Sequence, residues 1–269
     1  MFKKTLIAGL ITGAFASAAM AADAPTPEHT LTGNVGVYSQ YIFRGLTQTN
    51  RAPALQGGAD YSHSSGFYAG TWASQITWLT DSTSITGYSK GKVEIDLYGG
   101  YKGSLGGDVG YDVGLLQYYY PGTYTRVAPL NKADTLEAYA ALSWKFLSAK
   151  YSQSITNNTF GVSNSSGSYY LDVTATVPVT DSVNLIAHWG NQKFQGTSGA
   201  VSGYSNDSQA SYQDYKLGVT YALPKDFSIG AYYTTTDIKS DARKSFYTNS
   251  SDSFMLGKEA YTVYVSKTF

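Results

Sequence analysis

From residue 33 to the C-terminus, apolar and polar side chains alternate in one segment after another. The run Val93-Glu94-Ile95-Asp96-Leu97-Tyr98 shows it most clearly, and 136–146, 169–177, 215–221 and 227–233 repeat it. Successive side chains of a β-strand point to opposite faces, so a period of two marks a strand with two unlike faces. One parity holds Val93, Ile95 and Leu97, then Leu171 and Val173, then Leu217 and Val219, with no charge among them. The other holds Asp60, Glu94, Asp96, Asp112, Glu137, Lys145, Asp172, Asp214 and Lys216. The pattern predicts twelve strands near 33–46, 53–63, 67–77, 92–101, 108–120, 135–146, 149–156, 168–177, 183–193, 212–222, 227–237 and 259–269. In the third, either parity can be the apolar face.

Alternation does not say which face is wet. Connection lengths break the tie. After the first pair, short links near 64–66, 102–107, 147–148, 178–182 and 223–226 alternate with long ones near 78–91, 121–134, 157–167, 194–211 and 238–258. Outer-membrane barrels have short periplasmic turns and longer outer loops, with both termini periplasmic. The first outer connection, 47–52, is short for that scheme. The expected fold is therefore all-β: a transmembrane, antiparallel, up-and-down β-barrel of about twelve strands. Lipid-facing aromatics should then form two belts. Tyr41, Phe43, Tyr169, Trp189, Tyr233 and Tyr261 fall toward the outer ends, and Tyr61, Tyr101, Trp144, Phe146, Tyr221 and Phe227 toward the inner ends.

Composition narrows the class. Tyr (25) and Gly (28) are abundant and only 14% of residues are charged, which suits strands. There is no Cys, so disulfide frameworks, thiolate metal sites and Cys nucleophiles are excluded. No basic stripe suggests nucleic acid. Residues 1–21 have the build of a secretory signal peptide: Lys3 and Lys4, an apolar run over 5–18, then Ala19-Met20-Ala21. Beyond it no apolar run is long enough for a membrane-spanning helix. The expected organisation is a signal peptide over 1–21, a short periplasmic segment over 22–32 and an outer-membrane barrel over 33–269.

The end of the chain, Tyr261-Thr262-Val263-Tyr264-Val265-Ser266-Lys267-Thr268-Phe269, resembles the last strand of outer-membrane proteins. That resemblance implies that Phe269 is an assembly signal read by the barrel-assembly machinery. Three further stretches, Tyr38-Ser39-Gln40-Tyr41-Ile42-Phe43-Arg44-Gly45-Leu46-Thr47-Gln48-Thr49, Pro53-Ala54-Leu55-Gln56-Gly57-Gly58 and Gly66-Phe67-Tyr68-Ala69-Gly70-Thr71-Trp72-Ala73-Ser74, closely resemble the opening of the TorF porin family. Glu94 to Tyr98, Tyr119-Tyr120-Pro121-Gly122, Tyr169-Tyr170-Leu171 and Val265 to Phe269 continue it. Gln40 stands where that family is expected to carry Asp. The resemblance implies an outer-membrane channel.

Twelve strands close into a backbone cylinder roughly 24 Å across, which leaves a lumen on the order of 10 Å if no loop folds in. The expected lining is Arg44, Gln56, Asp60, Glu94, Asp96, Asp112, Glu137, Lys145, Lys150, Asp172, His188, Asp214 and Lys216. Turn registers set Asp96 opposite Asp112 and Asp172 opposite His188. Arg44 is expected near the outer mouth beside Gln56, and Lys145 and Lys150 together near the periplasmic mouth. Acids outnumber bases in this set, which gives a weak preference for cations. Three histidines, His29, His63 and His188, show no Ser–His–acid spacing, so no catalytic residue, metal ligand or cofactor is assigned. The expected partners are outer-membrane lipid, the assembly machinery and small hydrophilic solutes, with the oligomeric state open. Two other readings stay open: a structural or adhesive barrel with a blocked lumen, and an outer-membrane hydrolase.

Overall fold

The computed structural model describes residues 27–81, 86–125, 131–197 and 204–269. The expected signal peptide lies outside them. Twelve antiparallel strands form a closed barrel: β1 (His29–Tyr38), β2 (Ala54–His63), β3 (Phe67–Gln75), β4 (Val93–Gly106), β5 (Val109–Tyr119), β6 (Thr135–Trp144), β7 (Leu147–Ser154), β8 (Tyr169–Pro178), β9 (Val183–Lys193), β10 (Tyr212–Ala222), β11 (Phe227–Thr236) and β12 (Ala260–Thr268). Each pairs with its neighbour in sequence, and β1 closes on β12 with Val35 opposite Lys267 and Val37 opposite Val265. Closure leaves no unpaired strand edge, the one way a sheet can satisfy its backbone in lipid. No described helix is long and apolar enough to cross a membrane.

The outer wall is apolar. Leu55, Leu97, Val113, Leu142, Leu185, Leu217 and Val263 all stand exposed on it, Leu217 at 63%. An apolar band this continuous is far larger than a water-soluble monomer shows, so it needs an apolar solvent. Aromatics flank the band: Tyr61, Phe67, Trp144 and Tyr221 at the turn end, and Tyr119, Tyr151, Tyr215 and Tyr261 at the loop end. In β3 the ambiguity is resolved: Trp72 and Ser74 are buried inward while Phe67 is 63% exposed.

Inside, glycine and tyrosine explain each other. Gly70 faces Tyr98, Gly100 faces Tyr68, Gly114 faces Tyr139 and Gly230 faces Tyr264 across adjacent strands. A Cβ at Gly70 would sit 2.5 Å from the Tyr98 ring. The missing side chain lets the ring lie flat on the wall and reach the next strand, a pairing that compensates the weak packing of strand glycine. Tyr98 thus crosses Gly70 to donate a hydrogen bond to Asp60, which lies opposite Gly70 on β2.

The first strand departs from expectation. It begins at His29 and stops at Tyr38, and 39–53 turns into the barrel. Within that segment Ile42–Phe43 pairs with Leu46–Thr47 around Arg44-Gly45. Arg44 and Gly45 both have positive φ, 46° and 77°, as a two-residue primed hairpin turn requires. The first long connection is therefore 39–53, which removes the length anomaly at 47–52. Tyr41 and Phe43, expected against lipid, face the interior instead: Tyr41 is 5% exposed, and Phe43 packs on Tyr118 and Phe160. The outer loops carry short helices α1 (Trp78–Asp81), α2 (Asn206–Ala210) and α3 (Asp241–Phe246). Just beyond α3, Tyr247 donates to the carbonyl of Ala210 at 2.5 Å, tying the last two loops together.

Candidate functional site

The inward hairpin crosses the lumen. In a twelve-strand ring the wall opposite β1 is β7. The Arg44 side chain reaches strands on both sides of β7. Its guanidinium donates to both Glu137 oxygens on β6, at 2.7 and 3.0 Å, and to Gln192 Oε1 on β9 at 2.7 Å. It also lies 4.3 Å from the Tyr170 ring centroid on β8 and donates to the Tyr118 hydroxyl on β5 at 3.3 Å. Arg44 is 6% exposed and Glu137 1%. The hairpin is gripped on two sides. Tyr41 belongs to an apolar cluster with Trp72, Leu116, Tyr118 and Tyr139, and Leu46 packs against Phe194, Tyr212 and Tyr247. Tyr212 further donates to the Arg44 carbonyl at 2.9 Å.

Arg44 therefore does face the interior, as expected, but it bonds the far wall and not the mouth beside Gln56. Gln56 is buried on β2. The other lining residues sort by partner. Tyr hydroxyls donate to Glu94 from Tyr41 at 2.8 Å, to Asp112 from Tyr68 at 2.6 Å and to Asp214 from Tyr170 at 2.8 Å. Asp96 does not face Asp112. The register sets Asp96 opposite Tyr118 and Asp112 opposite Lys102, because β4 runs on to Gly106 and the turn is only Gly107-Asp108. Asp96 is 3% exposed, and its Oδ1 has no hydrogen-bond partner.

Asp172 and His188 do meet, but diagonally: Thr174 lies opposite His188, and Asp172 opposite Gly190. His188 Nδ1 is 3.4 Å from Asp172 and Nε2 is 2.9 Å from Asp214, so one imidazole bridges two carboxylates. Thr174 donates to Asp172 at 2.7 Å. Lys216 pairs opposite His188 on β10, and Lys150 opposite Asp172 on β7. Lys150 lies over the Tyr139 ring at 4.1 Å, well up the wall. Lys145 is not a lining residue. It sits exposed in the β6–β7 turn with its ammonium 5.0 Å from the Trp144 ring, because the turn is Lys145-Phe146 and not 147–148. The expected Lys145–Lys150 neighbourhood at the turn-end mouth is thus not formed.

A cavity of about 160 Å³ lies beside the hairpin, bounded by Arg44, Lys150, Asp172, His188, Asp214, Lys216, Tyr232 and Tyr264. The sequence reading missed Lys102 and the hairpin itself. The signal for the hairpin was the pair Arg44-Gly45, which suits a primed two-residue turn. In the outer loops Asp252 bonds Arg51 at 2.5 Å and Asp207 bonds Lys193 at 2.6 Å, so both loop acids are ion-paired. At Asp252 the Asn50 amide, Phe254 N–H and Arg51 together hold the carboxyl below its ordinary range.

No curated relative matches the chain. Among solved structures the fold is similar to the KdgM porin, with a TM-score of 0.52 at 9% identity over 88% of this chain and 99% of that one. It is similar at 0.50 to the KdgM porin in complex with disordered oligogalacturonate, at 8% identity over 89% and 99%. The NanC porin matches at 0.50 and 12% identity over 88% and 99%. Identities this low carry the architecture and nothing finer. The chain belongs to Gcw_chp, a family of bacterial proteins of unknown function, whose model matches residues 21–269.

Proposed function

We propose that this protein is an outer-membrane channel for passive diffusion of small hydrophilic solutes or ions, with a weak preference for cations. The turn end carries both termini and faces the periplasm in this reading, as in other such barrels. The observation that carries it is the pairing of an apolar outer wall with an interior lined by acidic, basic and hydroxylated side chains around a crossing hairpin. A narrowed, charged lumen is how barrel channels select what passes. The resemblance of 38–49 to the opening of the TorF porins supports the same reading.

The sign follows from what remains unpaired with Arg44. Glu137 neutralises Arg44, so the hairpin does not make the lumen basic. Asp60, Glu94, Asp96, Asp112, Asp172 and Asp214 then outnumber Lys102, Lys150 and Lys216, with His188 held between two of the acids. Charge inside low-dielectric walls attracts counter-ions more strongly than charge on an open surface. The KdgM porin has been seen with an acidic oligosaccharide; the acidic excess here argues for a different cargo.

Reversal potentials in a salt gradient across a planar bilayer test the sign, and a clear anion preference would overturn it. Because Asp96 and Asp112 do not face each other, Asp112→Asn should lower cation preference on its own, whereas Asp96→Asn, at a site 3% exposed and with Oδ1 unpartnered, should change it little. One observation favours a second reading: a hairpin spanning the whole lumen, with a buried ion pair at its tip, is also how a barrel is blocked. Folded protein with no single-channel conductance would select that structural barrel over the channel.

A further inference from the structure

Two of the three histidines meet where the sequence reading placed no chemistry. His29, expected in a leading tail, is the first residue of β1 and lies directly opposite His63 on β2. Their parity is that of Leu31, Val35 and Tyr61, so both project from the outer wall at the turn end, just beyond the apolar band. The ring centroids are 5.1 Å apart. Ser64 N–H donates to the Glu28 carbonyl at 2.9 Å, which extends the ladder one step and fixes Glu28 beside the pair. Glu28 Oε1 lies 3.6 Å from His63 Nε2.

We infer that Glu28, His29 and His63 form a binding site for a divalent transition-metal ion of the zinc class, on the periplasmic rim of the barrel. One donor atom from each residue lies within 4.8 Å of the others. In a tetrahedral zinc site the donors stand about 3.4 Å apart, so closing on an ion requires side-chain movement of roughly an ångström and no change of backbone. Two imidazoles and one carboxylate, with a position left for water, are a common zinc donor set. Two nitrogen donors disfavour Mg²⁺ and Ca²⁺, which take oxygen.

The surroundings orient the rings as metal ligands need. His29 Nδ1 lies 2.8 Å from the Tyr61 hydroxyl, and His63 Nδ1 lies 2.6 Å from Ser65 Oγ. Each bond engages Nδ1 and leaves Nε2 for the ion, the arrangement that outer hydrogen-bond partners impose on metal-bound imidazoles. Ser65 N–H also points at His63 Nδ1 from 3.1 Å, so a metal at Nε2, which places the ring proton on Nδ1, requires that contact to open. Ser65 Oγ then accepts from Nδ1–H in place of the backbone contact. Nothing in this argument depends on whether the lumen conducts.

The test is calorimetric titration of refolded, metal-stripped mature barrel with ZnCl₂ at neutral pH. One Zn²⁺ per barrel is expected, with no heat from MgCl₂. His29→Ala and His63→Ala should each weaken binding at least tenfold, and Tyr61→Phe by about tenfold through ring orientation. Binding should weaken on acidification, as protons compete with the metal for its ligands. Bound Co²⁺ should give the visible spectrum of a low-coordinate site with two paramagnetically shifted imidazoles, a readout that needs no variant. No Zn²⁺ binding by folded wild-type protein would overturn the assignment. So would binding that survives both histidine replacements but is lost in His188→Ala, which would move the ion to the lumen.

Discussion

The guanidinium of Arg44 and the carboxylate of Glu137 meet at 2.7 Å across the lumen, 93 residues apart in sequence. Arg44 sits at the tip of a hairpin from one wall, and Glu137 projects from the other. The pair is buried, so it is desolvated, and its value lies in fixing position more than in net stability.

Breaking it from one side strands a buried charge. Arg44→Ala and Glu137→Ala are each expected to destabilise the barrel by about 3–5 kcal/mol. Replacing both with Met should recover much of that loss, since no unpaired charge remains. Urea unfolding of refolded protein checks the order. If the hairpin limits flow, Arg44→Ala also raises single-channel conductance; unchanged conductance would place the constriction elsewhere.

Gly45 holds the turn in place twice over. Its φ is 77°, and a Cβ there would lie 2.5 Å from Asp214 Cβ and 2.8 Å from Thr236 Cγ2. Gly45→Ala should therefore cost about 1–3 kcal/mol and lift the tip off β10. Noisier, larger conductance than wild type is the expected record.

Gly70→Ala probes the tyrosine lining. The added methyl drives the Tyr98 ring off the wall and away from Asp60. A stability loss of about 1–3 kcal/mol is expected from overpacking, with lower conductance as the ring enters the lumen. Wild-type stability and conductance would show that the ring relaxes freely.

The outer loops should loosen in acid. Asn50 and Arg51 of the hairpin segment bond Asp252 of the last loop, and its carboxyl is held below the ordinary range. A depressed carboxyl stabilises the folded contact above its ordinary pKa of about 3.9, and that contribution is lost as pH falls through the still lower folded value. Protease nicking of the 237–259 loop should thus rise on acidification below pH of about 4 in wild type. Asp252→Asn should show the raised rate already at neutral pH.

Phe269 closes the cylinder: its N–H donates to the Gly33 carbonyl at 2.8 Å. Deleting it should cut the amount of heat-modifiable, membrane-embedded protein several-fold while export continues. Undiminished embedding would remove Phe269 from assembly.

Much of this architecture was written locally. A period of two survives any tertiary context because it is a property of the strand itself, and most of the barrel strands show it in sequence, β3 excepted. Expected bounds for β9 and β10, 183–193 and 212–222, coincide with the structure, since Pro, Gly and Ser clusters punctuate both ends. The inward parity of Glu94, Asp96, Asp172 and Asp214 follows from the same alternation.

What tertiary structure alone decided is which inward groups touch. Asp112 faces Lys102 and not Asp96 because one turn is shorter than its composition implied, and each residue of turn length shifts every pair above it. Tyr41, Phe43 and Arg44 read locally as more of strand β1, because a two-residue hairpin alternates just as a strand does. Their fate depended on an empty lumen into which the segment could fold, with a carboxylate waiting on the opposite wall, and an enclosed space exists only once the last strand has closed on the first. The His29–His63 pair shows the same division: in sequence the two stand 34 residues apart with no ligand spacing, and only the antiparallel register between β1 and β2 sets them face to face.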